Sequence, residues 1–158
     1  MVFDKIEEEI SSWDLPEFIE NVLFGLIAFF FSSMIHEAGH VIFAIIFGCP
    51  AAIKHVGMIT GLTGIGECSN FSLQWIALGG GITSFLFGLY VWFGEKKTKL
   101  RILSLYLFLF SSVLQLVPYK PLDGYWAVYY GMPIYLELFI WFTIFSISIN
   151  LIMKKLNQ

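Results

Sequence analysis

The chain alternates long apolar stretches with short polar connections. Apolar side chains dominate residues 18–48, 71–93, 102–117 and 134–153. A helix needs roughly 17 to 25 apolar residues to cross about 30 Å of hydrocarbon. The pattern therefore predicts an all-α polytopic membrane protein with four transmembrane helices. The first stretch is longer than one crossing requires, so part of it is expected to tilt, to project or to pack inside protein.

The segment between the first two predicted helices has a different pattern. Residues 51–68 place glycines among β-branched side chains, at Gly57, Gly61, Gly64 and Gly66. Such a pattern predicts a short β-hairpin rather than a helix. An edge strand there could pair with an extended peptide through main-chain hydrogen bonds. The alternative is a surface loop without that role.

The segment that precedes the first predicted helix, residues 1–14, repeats apolar residues at helical spacing. They are Phe3, Ile6, Ile10 and Trp13. The spacing predicts an interfacial arm, with a solvated helical arm as the alternative. Asp14-Leu15-Pro16-Glu17 is typical of a capping box at the start of the first spanning helix. The whole chain, residues 1–158, is then a single membrane-embedded domain.

Composition agrees with a membrane protein. Of 158 residues, 58% are hydrophobic and 13% are charged, and the mean hydropathy is +0.77. A soluble globule could not bury this much apolar surface. The chain is therefore expected to be a multi-pass protein of the lipid bilayer. We also expect that bilayer to be the plasma membrane of a prokaryote. No basic run indicates binding to nucleic acid.

The basic residues are distributed unequally between the two ends of the predicted helices. Seven lie at one end, namely Lys5, Lys96, Lys97, Lys99, Arg101, Lys154 and Lys155, and two lie at the other, Lys54 and Lys120. The positive-inside rule places the basic end, with both termini, in the cytoplasm. The end that carries Lys54 and Lys120 would then face the exterior.

Three ionisable residues interrupt the apolar sequence "FFFSSMIHEAGHVIFAIIFG" of the first predicted helix. His36 and His40 are four positions apart, so their imidazoles lie on one face and can share a tetrahedral metal ion, with Glu37 beside them to move a proton. Ionisable groups at membrane depth are costly unless they are paired or bind something. The alternative is that the histidines form hydrogen bonds between helices.

Two histidines leave a zinc site incomplete, because a catalytic zinc ion has three protein ligands and an open fourth position. Asp123 in "VPYKPLDGYW" is the preferred third ligand, since it follows Pro118 and Pro121, which end the third helix. A carboxylate on such a broken backbone at membrane depth would line a protein-walled cavity. The alternatives are His55 as the third ligand, or an ordinary surface turn at Asp123-Gly124.

The two cysteines, Cys49 and Cys68, lie at either end of the segment that predicts the hairpin. They have no metal-type spacing such as C-x-x-C. We therefore expect both to be thiols without a role.

Three blocks of the chain resemble the site-two protease family of intramembrane zinc metalloproteases. "HEAGHVIFAIIFG", "ALGGGITSF" and "VPYKPLDG" are similar to the family's H-E-x-x-H, A-G-P-x-x-N and N-P-x-P-x-L-D-G motifs, and they lie between residues 36 and 124. Gly81, Ser84, Val117 and Lys120 stand where the family has Pro, Asn, Asn and Pro.

This resemblance implies a fold and a set of roles. It implies a re-entrant β-hairpin between the first two helices, and one Zn²⁺ per chain held by His36, His40 and Asp123. Glu37 would be the catalytic general base of a zinc-dependent intramembrane endopeptidase. Gly80, Gly81 and Ser84, in the second block, would contact the substrate. The substrate would be a membrane-embedded or membrane-adjacent protein, and a regulatory membrane partner is compatible with so small a chain. The resemblance also implies an active site that opens toward the cytosol, as usually described for bacterial relatives, which is the opposite of the orientation that the basic residues predict.

Two other functions remain open at this stage. A catalytically silent relative could bind a membrane partner without cutting it, which the departures at Val117 and Lys120 favour and the presence of Glu37 disfavours. A small channel or transporter subunit would need polar residues along several helices. The last helix offers only a few of these, Glu137, Thr143, Ser146, Ser148 and Asn150.

Overall fold

The computed structural model describes residues 15–56, 61–94 and 98–156. The predicted arm at residues 1–14 and Gly57 lie outside the described residues. The elements, in chain order, are α1 (Leu15–Ile46), β1 (Ala51–Val56), β2 (Gly61–Ile65), α2 (Asn70–Gly94), α3 (Thr98–Phe108), a π-helical turn (Leu109–Leu114), α4 (Asp123–Tyr129) and α5 (Ile134–Leu156).

Three helices among the described residues are long and apolar enough to cross a membrane. They are Phe18–Ile46 within α1, Asn70–Gly94, which is α2, and Ile134–Lys154 within α5. Large apolar side chains on α1 and α5 are exposed, among them Ile45 at 70% and Phe139 at 69%. The prediction of a mostly helical membrane protein is confirmed at this level.

The third predicted helix differs from its prediction. Residues 102–117 were expected as one span, but α3 changes to a π-helical turn over Leu109–Leu114, and its apolar part is the shorter helix Leu103–Leu114. The turn ends before Pro118, where a proline disfavours helical backbone in the residue that precedes it. A fourth transmembrane helix therefore stays a prediction.

The segment after Pro121 forms a helix that the sequence pattern did not predict. Leu122 is extended, with φ −72° and ψ 162°, and α4 begins at Asp123. An acidic side chain in the first helical turn is favourable, because it lies beside the unpaired N–H groups and the positive end of the helix dipole. The short helix gives Asp123 a fixed backbone.

The predicted hairpin is present as a two-stranded antiparallel sheet. Ala51 pairs with Ile65 and Val56 with Gly61, with one irregularity between Ile53 and His55. The hairpin lies between α1 and α2 in the chain, as the glycine pattern predicted.

The prediction of two free thiols is wrong, since Cys49 and Cys68 form a disulfide with a Cα–Cα distance of 5.9 Å. The strand pairing explains why, because Ala51 opposite Ile65 and the hydrogen bond from Gly66 N–H to Pro50 O bring the two ends of the hairpin together. The absence of a C-x-x-C metal-binding spacing does not predict whether two cysteines distant in the chain form a disulfide. The disulfide closes the base of the hairpin.

We expect the disulfide to stabilise the hairpin. The cross-linked cysteines are 19 positions apart, and closing a loop of this size contributes roughly 3 kcal/mol in the chain-entropy model. The double variant Cys49→Ser/Cys68→Ser should therefore show faster amide hydrogen exchange at residues 61–65. Reduction of the parent protein should have the same effect and should leave the double variant unchanged. Equal exchange before and after reduction of the parent would contradict this expectation.

Helices α1 and α2 approach each other closely through small residues. A Cβ added at Gly39 would lie 2.5 Å from Gly79 O and 2.9 Å from Gly80 Cα. The two backbones therefore meet where a side chain has no room, as small residues permit in membrane helices. Helix α2 then contributes much of the buried core, with Leu78 and Phe85 packed against Phe108.

Candidate metal centre

His36 and His40 lie on the face of α1 that meets α2, and both are buried, at 6% and 7% exposure. The Nδ1–H of His36 donates to Ser111 O at 2.7 Å, and the Nδ1–H of His40 donates to Ile76 O at 2.7 Å. A carbonyl oxygen can only accept a hydrogen bond, so Nδ1 must carry the proton in each ring. These bonds fix both rings and direct each Nε2 to the same centre.

The π-helical turn makes the acceptor for His36 available. In an uninterrupted α-helix the N–H of Gln115 would donate to Ser111 O. Here that N–H donates to Ser112 O instead, and His36 takes the place at Ser111 O. Wide helical turns of this type often occur at functional sites. The local distortion of the third helical segment therefore has a direct effect on the orientation of one imidazole.

Asp123 completes the group from the first turn of α4. Its Oδ2 lies 2.8 Å from His36 Nε2 and 3.4 Å from His40 Nε2, and the two Nε2 atoms are 3.2 Å apart. The hydrogen bond from Gly124 N–H to Gln115 O, at 3.1 Å, ties this turn to the end of the π-helical segment. One backbone region thus orients His36 and also positions Asp123.

Three lone pairs converge at this centre, so either protons or a cation must lie between them. If protons lie there, two effects act on the pKa of Asp123. Burial raises this pKa, but the stronger combined effect of His40 and His36 holds it well below its ordinary range. A metal ion replaces those protons when it binds. Tetrahedral ligands at zinc distances are separated by about 3.3 Å. The observed separations are close to that value, so the three residues could hold a metal ion.

Glu37 lies beside the metal-ligand group and is 5% exposed. Its Oε2 accepts a hydrogen bond from Thr63 Oγ1 at 2.7 Å, which links α1 to β2. A cavity of about 350 Å³ opens next to it. Polar groups of Glu37, His40, Thr63 and Asp123 face this cavity, and the other lining residues are Leu62, Ile65, Leu73, Ala77, Pro121, Trp126 and Tyr130. The cavity therefore combines polar groups, which include two of the three possible metal ligands, with apolar side chains.

The remaining predicted site residues occupy other places. A Cβ at Gly80 would lie 2.6 Å from Nε2 of both histidines, and one at Gly81 would lie 2.6 Å from Leu116 Cγ. Ser84 is fully buried, and its Oγ has no hydrogen-bond partner among the described residues. These three are not among the residues that line the cavity, and their substrate-binding role stays a prediction. His55 is exposed on β1, apart from the metal-ligand group.

Sequence reasoning missed three parts of the site. The carbonyl groups of Ser111 and Ile76 carry no side-chain signal, since every residue has a carbonyl. Thr63 lies in the predicted hairpin, but its spacing from Glu37 in the chain does not indicate contact. Only the packing of the hairpin against α1 brings the Thr63 hydroxyl to the carboxylate.

Gly80 gives a test of how closely α2 must approach the imidazoles. We expect Gly80→Ala to lower metal affinity by roughly 10- to 100-fold, because the new methyl group must displace both rings from their carbonyl partners. Titration of metal-free protein with zinc measures the change. Gly94→Ala is the matched control, since a Cβ there meets nothing within 4 Å. Parent-like affinity in Gly80→Ala would show that the rings are not held as described.

The structure thus places a group that could hold a metal ion beside a buried carboxylate and a cavity lined by both polar and apolar side chains. Comparison of the chain with protein-family models, with curated proteins and with solved structures finds no match.

Proposed function

We propose that this protein is a zinc-dependent intramembrane endopeptidase of the site-two protease type. The observation that carries the proposal is the convergence of His36 Nε2, His40 Nε2 and Asp123 Oδ2 on one buried centre. Glu37 is the next residue after His36, and both lie in a helix long and apolar enough to cross a membrane. A pair of histidines that served only as interhelical glue would not need an acidic third group at these distances.

The donor set favours zinc, with one ion per chain. Imidazole nitrogen and carboxylate oxygen are both common ligands of Zn²⁺ in tetrahedral geometry. Three protein ligands leave the fourth position for water or substrate, as in catalytic zinc sites. His40, Asp123 and Glu37 all reach the cavity wall, which gives both water and a peptide a route to that position.

Glu37 would act as the general base. Bound zinc would supply Lewis acidity, which lowers the pKa of water and polarises a carbonyl group. A Glu37 carboxylate oxygen would take a proton from the attacking water while the water oxygen bonds to the peptide carbonyl carbon. The same carboxyl group would return that proton to the amide nitrogen as the C–N bond breaks. The products are one carboxyl and one amino terminus.

We further propose that α3 and the π-helical turn form the fourth membrane segment. Together they contain 11 and 6 residues, a length of about 25 Å at 1.5 Å per residue. Leu107, Phe108 and the turn residues Ser111, Ser112 and Val113 are buried, whereas Phe110 and Leu114 are 44% and 47% exposed. One face of this segment is therefore covered by protein. A distorted helix is tolerated at membrane depth under that condition. The substrate would be a membrane-embedded or membrane-adjacent segment.

The experiment that tests the proposal compares purified protein in three states: zinc-loaded, stripped with a chelator, and restored with zinc. The probe is an unfolded protein in detergent, and new termini are counted by mass spectrometry. We expect cleavage in the first and third states only. Zinc binding without cleavage of any probe, including co-expressed single-span proteins, would favour the catalytically silent alternative. Equal cleavage in all three states would reject a metal-dependent peptidase.

A further inference from the structure

Thr63 connects the hairpin to the carboxylate of Glu37. Its Oγ1 donates to Glu37 Oε2 at 2.7 Å, and the same hydroxyl lies 3.3 Å from the backbone oxygen of Glu37. A hydroxyl has one proton, and the shorter contact to a carboxylate is the stronger of the two. The bond therefore holds one carboxylate oxygen and leaves Oε1 without that constraint.

The donor itself is held by main-chain structure. Thr63 pairs with Ile53 in the antiparallel register, and the disulfide closes the base of the same hairpin. Because the backbone of Thr63 is already ordered by strand pairing, its side chain loses little further conformational entropy when it donates a hydrogen bond. The hairpin therefore fixes the orientation of the Glu37 carboxylate. A glutamate without such a partner would sample several rotamers.

We propose that Thr63 is a positioning residue that holds Glu37 in the orientation needed for proton transfer. The proposal rests on the proposed function, in which Glu37 is the general base. Thr63 acts through Glu37 and touches no reacting atom. It takes part in catalysis by keeping Oε2 occupied, so that Oε1 is the oxygen that accepts the proton.

Thr63→Val tests this role, because valine keeps the shape and strand preference of threonine and removes the donor. We expect kcat to fall by roughly 10- to 100-fold with KM and zinc content unchanged. Thr63→Ser should restore most of the activity. In a Glu37→Gln background the valine substitution should cause no further loss, since both changes remove the same function. Thr143→Val is the control, because that hydroxyl is exposed and donates to Phe139 O within its own helix.

A readout that needs no activity keeps this proposal separate from the proposed function. In zinc-free protein, Thr63→Val should speed amide hydrogen exchange at residues 61–65 by roughly 10-fold, since one hydrogen bond between the hairpin and α1 is lost. Unchanged kcat in Thr63→Val, failure of serine to rescue, or an equal further loss in the Glu37→Gln background would each overturn the positioning role. If the parent cleaves nothing, the proposed function fails, and the exchange rates still test the bond.

A second and independent observation concerns the side of the membrane on which the cavity opens. The hairpin and α4 lie at the same end of the molecule, because Leu62, Thr63 and Ile65 line one cavity with Trp126 and Tyr130. That end carries the disulfide between Cys49 and Cys68. Disulfides persist in oxidising compartments and are rare in the reducing cytosol.

The charge distribution points the same way by unrelated physics. The end of the molecule with the cavity carries Lys54 and Lys120. Of the seven other basic residues, Lys5 precedes α1, four lie between the end of α2 and the first turn of α3, and two lie in the last turn of α5. Basic residues next to spanning helices stay in the cytoplasm. The retention of basic residues in the cytoplasm and the formation of a disulfide outside it are independent effects. Both place the end with the cavity outside the cytoplasm.

We infer that the cavity opens on the extracytoplasmic side. Its substrates would then be peptide segments at the outer face of the membrane or in its outer half. This inference names the substrate class of the proposed function, but its test does not depend on catalysis.

Two exposed positions at opposite ends allow a direct test in intact cells. Tyr119 is 72% exposed beside Lys120, and a Cβ at Gly94 meets nothing within 4 Å. In the Cys49→Ser/Cys68→Ser background, a membrane-impermeant maleimide should label Tyr119→Cys from outside and Gly94→Cys only after permeabilisation. In the parent, Cys49 and Cys68 should resist alkylation until they are reduced. The reverse labelling, or free thiols in the parent, would overturn the inference.

Discussion

Glu37→Gln is expected to lower kcat for peptide hydrolysis by roughly 10²- to 10⁴-fold, the range that a positioned general base contributes. Glutamine has the same length as glutamate, and its amide oxygen can still accept the hydrogen bond that Thr63 donates to Glu37 Oε2 at 2.7 Å. The substitution therefore leaves the hairpin contact in place and removes only the capacity to take a proton. Zinc content should stay at about one ion per chain, because Glu37 is not part of the metal-ligand group.

The measurement is cleavage of co-expressed single-span proteins and of an unfolded protein probe by purified, zinc-loaded enzyme. Glu67→Gln is the matched control, since it makes the same change of charge at an exposed position in the loop before α2. It should process substrate at the parental rate. Equal processing by the parent and by Glu37→Gln would remove the basis for assigning proteolysis to this site.

The parts of the site that sequence could predict are those set by local geometry. A helix places positions four apart on one face, so the pairing of His36 with His40 follows once α1 is helical. Prolines 118 and 121 predict an end to the third helix before Asp123. The glycines of residues 51–68 predict a hairpin, because they interrupt helical periodicity and permit tight turns.

The missed parts depend on contacts between elements that are distant in the chain. Whether Ser111 O is free to accept from His36 depends on a π-helical turn, and no residue type there requires one. The disulfide depends on strand register. Local helix signals around Asp123-Gly124 were weak, since a glycine at the second position favours a turn. The helix forms nevertheless, and Gly124 is buried, with its N–H bonded to Gln115 O.

The role of Gly80 in α2 also depends on tertiary contacts that the sequence does not reveal. The sequence places Gly80 on a segment suited to close approach, but small residues can serve helix packing or a peptide backbone equally well. The structure assigns the space above Gly80 to the two imidazoles. Tertiary packing determines which neighbour occupies the space beside a glycine. Helical periodicity in the sequence does not predict that neighbour.

Asp123→Ala is expected to abolish zinc binding at micromolar metal and, with it, peptide hydrolysis. Loss of an outer-shell partner of a ligand costs roughly 10- to 100-fold in affinity, and removal of a direct ligand should cost more. Asp123→Asn tests charge separately, since it keeps the size of the side chain but replaces the anionic oxygen donor. We expect it to retain only weak binding, because the two imidazoles are neutral when they bind metal and Asp123 supplies the only charge among the three ligands.

Equilibrium dialysis with metal analysis measures this loss, with Glu67→Gln as the control that keeps all three ligands. Asp123→Ala should remain folded, because His36 and His40 keep their own hydrogen bonds to Ser111 O and Ile76 O. The alanine also removes a buried hydrogen-bond acceptor without leaving a new donor unpaired. Full zinc retention in Asp123→Ala would mean that the ion sits elsewhere, and the 2.8 Å contact between Asp123 and His36 would then be an ion pair. Loss of zinc from Asp123→Ala, with amide hydrogen exchange in the hairpin as slow as in the parent, would locate the third ligand at the start of α4. The parent and the variant would then differ only in the ligand set.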